Sequence, residues 1–122
     1  MEKHIVENNG ITIAIIHSDE LIIVDTQSAI DFIATIDYYD GCHRIALNKE
    51  AIIEDFFKLS TGIAGEILQK FVNYSMKIAI MGDFSEYTSK PLKDFIYECN
   101  RGNAVFFVPD EKTAISKLTS AV

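Results

Sequence analysis

Two hydroxyls and two glycines crowd the start of a helical pattern at Ser60-Thr61-Gly62 and Gly65, inside the stretch DFFKLSTGIAGEILQKF. A hydroxyl at the amino end of a helix has two uses. It can accept a hydrogen bond from an unpaired first-turn N–H, as caps do. It can also carry a phosphate, which would face the positive end of the helix dipole and add a charge of about −1.5 to −2. Ser60 and Thr61 are therefore candidates for a phosphorylation switch. Gly62, Gly65, Glu66, Gln69, Lys70 and Asn73 are candidates for the surface a partner would touch, with Gly65 permitting close docking. The run STGIAG does not end in Gly-Lys-Ser/Thr, so it is not a nucleotide-binding loop.

A second group lies further on. Asp83 and Ser85 follow an apolar run in MGDFSEYTS, at what would be a strand's carboxyl end, where open α/β sheets bind ligands. Asn100 and Arg101 close the next helix. Together the four form a candidate ligand pocket. Each also has a structural explanation: Gly82-Asp83 is ordinary turn chemistry, Arg101 can pair with Glu98 at i, i+3, and Asn100-Arg101-Gly102 is a helix stop. His4, His17 and His43 are dispersed, and Cys42 and Cys99 form no C-x-x-C pair. With neither G-x-S-x-G nor G-x-G-x-x-G present, no catalytic residue, metal or cofactor is assigned.

The whole chain narrows the partners. It carries 18 acidic against 11 basic residues, a net charge of −7, which argues against nucleic acid and anionic membrane surfaces. No apolar run approaches the roughly 20 residues that span a bilayer, and the N-terminus lacks the regions of a signal peptide. The expectation is a soluble cytoplasmic protein with reduced thiols.

The elements that must position these residues follow from periodicity. Two β-rich runs flank Asn8-Asn9-Gly10, a strong hairpin signal. ELIIVD is a third apolar run, a short strand or a turn into the next helix. Asp25 caps a helix whose apolar face reads Ala29, Ile30, Ile33 and Ala34, and Gly41 ends it. HRIALN is a strand, and KEAIIEDFFKL suits a short helical turn or two. The helix from Gly62 buries Ile63, Ala64, Ile67, Leu68, Phe71 and Val72. MKIAIMG is a strand; Pro91 opens a helix striped by Leu92, Phe95, Ile96 and Cys99. NAVFFV is a strand, and Asp110 caps a last helix with Ala114, Ile115 and Leu118 inward. At 122 residues this is one domain, 1–122: α/β, an N-terminal β-hairpin and then alternating strands and helices on a mixed, mostly parallel sheet.

That element order, with FKLSTGIAGEIL after the middle strand, resembles the sulfate-transporter and anti-sigma-factor-antagonist (STAS) domain. In that family an acidic, hydroxyl, glycine-containing motif opens a helix, and the phosphorylatable residue precedes its first glycine. The resemblance puts Thr61 at that position, after Ser60; Leu59 replaces the family's Asp, and Ala64 is inserted before Gly65. At closer range GIAGEILQKFVNY, IAIMGDFS and FIYECNRGNAVFFV resemble a bacterial family known as domain of unknown function 4180. The resemblance to STAS implies a regulatory domain that binds another protein, with partner exchange controlled at Ser60–Tyr74. Two other readings stay open: a small-ligand sensor with a pocket at the strand ends, and a structural or dimerisation module. Oligomeric state and strand order are left open.

Overall fold

Asn9 and Gly10 both adopt positive φ, 54° and 79°, as a two-residue type I′ turn requires. They join β1 (Glu2–Asn8) to β2 (Ile11–His17) in an antiparallel hairpin with Asn8 opposite Ile11. The computed structural model describes all residues, 1–122.

Helix α1 (Thr26–Asp40) starts on a reciprocal cap: the Ser28 N–H donates to the Asp25 carboxylate at 2.8 Å, and the Asp25 N–H donates to Ser28 Oγ at 3.0 Å. It ends on Gly41, left-handed at φ 62°. Its buried stripe is Ala29, Phe32, Ile33 and Ile36, with Ala34 exposed and Ile30 half-buried. This corrects the face expected from the sequence. The bulky Phe32 and Ile36 rotate the helix toward an i, i+3, i+4, i+7 stripe.

Strand β3 (Arg44–Asn48) leads into a connection of three 3₁₀ turns, Lys49–Ala51, Glu54–Phe57 and Leu59–Thr61, before α2 (Ile63–Asn73). Then come β4 (Lys77–Met81), α3 (Lys90–Asn100), β5 (Val105–Val108) and α4 (Glu111–Ser120). In α2, Ala64, Ile67, Leu68 and Phe71 are buried, but Val72 is half exposed, because the face it would extend has no element packed against it. The run ELIIVD makes a single parallel bridge, Ile23 to Ile52, with the Ile53 N–H donating to the Ile23 carbonyl at 2.9 Å. Helix α3 stops where expected, though Gly102 is not left-handed.

The sheet order is β1-β2-β3-β4-β5, antiparallel in the first pair and parallel in the rest. Because the parallel strands follow one another in sequence, right-handed crossovers put α1, α2 and α3 on the same face. There Ile16, Leu47, Ile80 and Phe107 meet Ile33, Phe71 and Leu92. The alternate residues Ile15, Ala46, Ala79 and Phe106 point the other way and are covered by Ala114 and Leu118 of α4. Both faces are buried, hence the continuous apolar strands. Arg44 ties down the end of α4, its guanidinium donating to the carbonyls of Leu118 and Ala121.

At the carboxyl end of β3 a side chain continues the ladder. Buried Asn48 accepts from the Ser18 N–H and donates to the Ser18 carbonyl, both at 2.9 Å. Asn48→Leu leaves both Ser18 groups unpaired and should lower unfolding stability by about 2 kcal/mol or more, read from a denaturant midpoint. At the acid end, the Ser28 amide and then its hydroxyl hold the Asp25 carboxyl below its usual 3.8. A depressed folded pKa means stability that is present above the unfolded value and lost as pH falls through the folded one. Asp25→Asn should therefore flatten the acid limb of the melting-temperature profile below about pH 4.

Candidate functional site

In an α/β sheet whose strand order reverses, a crevice opens where neighbouring crossovers diverge to opposite faces. This sheet has no reversal. Any cleft at the carboxyl ends of its strands must be built by loops, and two meet there: the 49–61 connection and the 82–89 segment between β4 and α3.

Lys49 begins the first loop. Its stem crosses the backbone at Gly82, where a Cβ would lie 2.5 Å from Lys49 Cδ. With its side chain only 15% exposed, Lys49 brings its ammonium to 3.3 Å from Glu86 and 5.3 Å from the Tyr87 ring centre. The Tyr87 hydroxyl donates to the Glu54 carboxylate, at 3.0 and 3.3 Å from its two oxygens. Phe57 stacks on Tyr87 at 5.3 Å and contacts Phe84, which meets Phe107 of β5 edge-on at 5.4 Å. This aromatic row fastens both loops to the sheet.

Between them opens a cleft of about 480 Å³, lined among others by Glu54, Phe57, Ser60, Tyr87, Ser89 and Leu92. That volume suits a small molecule or a short side-chain cluster of a partner. Burial pushes the Tyr87 phenol above its usual 10.0, and the Glu54 carboxylate adds to the rise. Burial pulls the Lys49 ammonium down, but Tyr87 and Glu86 together outweigh it, and its pKa rises above 10.5.

The hydroxyls singled out from sequence have different fates. Thr61 Oγ1 lies 2.8 and 2.9 Å from the Lys58 and Asp55 carbonyls, which share its single hydroxyl proton, and it accepts from the Ile63 N–H at 3.2 Å. The junction's side-chain hydrogen bonds all belong to Thr61; Ser60 is exposed in the cleft wall. Gly62 precedes α2 in the left-handed region, φ 76°. Gly65 is exposed, and a Cβ there would meet nothing within 4 Å. Glu66, Gln69 and Asn73 share the exposed face of α2, with Gln69 donating to Asn73 at 2.8 Å, while Lys70 is half-buried.

The second group is not drawn together. Asp83 accepts from the amide of Ser85 at 2.9 Å and its hydroxyl at 2.6 Å, hydrogen bonds that hold its carboxyl below 3.8. Asn100 and Arg101 lie at the other end of α3. The Asn100 amide brackets Phe107, donating to its carbonyl at 3.2 Å and accepting from its N–H at 2.7 Å. Arg101 sits 3.8 Å from Glu98 and packs over Tyr97. No three His, Cys, Asp or Glu side chains converge as metal ligands. Burial raises both thiols, Cys42 and Cys99, away from the reactive thiolate form. Sequence reasoning missed Lys49, Glu54, Phe57, Glu86 and Tyr87. Its one available signal was Gly82, a glycine closing a strand, which marks close approach of another chain segment.

Fold and cleft define a small mixed α/β domain with a sequential sheet and a loop-built cleft at its strand ends. No helix is long and apolar enough to cross a membrane. Residues 8–118 match the family model described as Domain of unknown function (DUF4180), and the chain belongs to that family. No curated protein and no solved structure matches it.

Two substitutions check the site's construction. Glu54→Gln should move Tyr87 ionisation to lower pH in an ultraviolet titration, with Tyr87→Phe identifying the signal. Gly82→Ala should displace the Lys49 stem and abolish the Lys49–Glu86 contact, visible as a shift of the Lys49 side-chain resonances.

Proposed function

We propose that this chain is a regulatory, STAS-like domain that acts by binding another protein at the junction around Ser60 and the first turns of α2. The observation that carries the reading is Gly65. A glycine inside a helix costs up to about 1 kcal/mol relative to alanine. At Gly65 nothing within the chain requires it, since a side chain would point into open space. Close approach of a partner's backbone is a reason for keeping that space clear. Glu66, Gln69 and Asn73 extend the same face, and the cleft beside Ser60 would receive a projecting side chain. Two free cysteines fit a reducing, cytoplasmic setting.

The switch follows from the same geometry. A phosphate on Thr61 would replace the hydroxyl proton that bonds the Lys58 and Asp55 carbonyls. A phosphate on Ser60 would break no such bond and would stand beside the cleft. Ser60 is therefore the favoured acceptor, although the STAS resemblance points to Thr61. A second reading is favoured by the cleft itself, where Glu54, Ser60, Tyr87 and Ser89 face a space fit for a small ligand. Such a ligand at 100 times its dissociation constant would add about 2.7 kcal/mol of stability in a thermal-shift screen.

Gly65→Ala should raise the melting temperature of the isolated protein while weakening partner capture from lysate. Ser60→Glu should weaken capture with the melting temperature unchanged, and Thr61→Glu should lower it. Unaltered capture by both Gly65→Ala and Ser60→Glu removes this surface from the proposal.

A further inference from the structure

The two edges of the sheet are finished differently. Along β5, the Asn100 side chain takes up the outward N–H and C=O of Phe107, leaving no usable ladder on that side. Strand β1 is seven residues long, and nothing in the chain covers its outer edge. An open edge of this length is a template for pairing.

The hairpin determines which groups that edge presents. Asn8 and Ile11 flank the two-residue turn and exchange both backbone hydrogen bonds; pairing then alternates along the strand. Val6, His4 and Glu2 spend their backbone groups on β2. Glu7, Ile5 and Lys3 point theirs outward. Their side chains share the α1 face of the sheet, because they stand opposite Thr12, Ala14 and Ile16, and Lys3 reaches Asp40 at the end of α1 at 2.8 Å.

We propose that β1 pairs antiparallel with β1 of a second copy, Ile5 opposite the partner's Ile5, to make one ten-stranded sheet across a two-fold axis. In that register Lys3 faces the partner's Glu7 and Glu7 faces the partner's Lys3, and all three outward residues of each strand form hydrogen-bonded pairs. Shifting the register puts Lys3 opposite Lys3, or Glu7 opposite Glu7, or sets one of the two charges opposite Ile5 and leaves the other without an opposite charge. Charge complementarity thus selects one alignment. Glu7 makes no ion pair within its own chain, whereas Lys3 is already oriented by Asp40. Ile5 on the axis is 43% exposed, and Tyr38 and Tyr39, at 80% and 73%, end α1 at the same corner beside Asp40. The contact is isologous and uses the only open edge, so assembly stops at two.

The test is sedimentation velocity over a concentration series. Wild type should approach twice the 13.7 kDa chain mass. Lys3→Glu and Glu7→Lys each create two like-charge pairs and should weaken self-association at least about tenfold. Mixing the two variant proteins restores both opposite-charge pairs and should restore a dimer. Ile5→Pro removes an outward N–H without touching the hairpin ladder, and should give a monomer with an unchanged circular dichroism spectrum. A wild type that stays monomeric at every concentration overturns the proposal. So does a dimer indifferent to either charge reversal, or a mixture that fails to re-associate.

Discussion

The sequential strand order governs the rest of the molecule. Each right-handed crossover steps one strand in the same direction, so the three connecting helices have one face available to them. The opposite face is left to a single helix, which must come after the last strand. That explains why α4 alone covers this face, and why Ala46 and Ala79 lie beneath it: small side chains let one helix settle closely over the middle of the sheet. It also explains Arg44, which reaches from β3 to hold the carbonyls of Leu118, in the last turn of a helix with no element beyond it, and of Ala121, its C-cap.

The same order removes the crevice that open α/β sheets with a strand reversal use for binding. Here the carboxyl ends of the strands are roofed by the 49–61 connection, held at three levels. Backbone hydrogen bonds join its first residues to the Ile22-Ile23 run, with the Ile22 and Ile23 amides donating to Ala51 and the Ile53 amide to Ile23. Phe56 and Phe57 bury themselves in the core beneath it. Tyr87 and Glu54 clasp it to the loop before α3. The cleft is a consequence of this packing rather than of the sheet, and Ser60 lies on its rim because the last 3₁₀ turn, Leu59–Thr61, carries it there.

The sequence made the architecture legible wherever local chemistry and burial agree. Asn9-Gly10, Asp25, Gly41, Pro91 and Asp110 each occupy the position their backbone preference suggests, and the apolar runs of β3, β4 and β5 are strands. Legibility failed where burial depends on a neighbour not written locally. Val72 continues an apolar face that no element covers, and Phe32 and Ile36 outcompete Ala34 and Ile30 for the core. Helix α2 ends through Ser75 at φ 55°, a conformation its residue type does not announce. The site suffered most. Lys49 and Glu54 of one loop meet Tyr87 of another, and the one sign of that meeting in the sequence is Gly82, over which the Lys49 stem passes. The hydroxyls at Ser60 and Thr61 were visible as a pair; their division into one free and one committed group depends on the Lys58 and Asp55 carbonyls.

A preformed surface at Ser60 requires the 49–61 connection to be a fixed wall of the cleft rather than a loose loop. Native-state hydrogen exchange tests this directly. The amides of Ile53, Phe56, Lys58, Thr61 and Gly62 all donate to backbone carbonyls. They should exchange with protection comparable to the first turns of α2. Exchange at the rate of an unstructured segment, with α2 still protected, would contradict it and leave no preformed surface at Ser60.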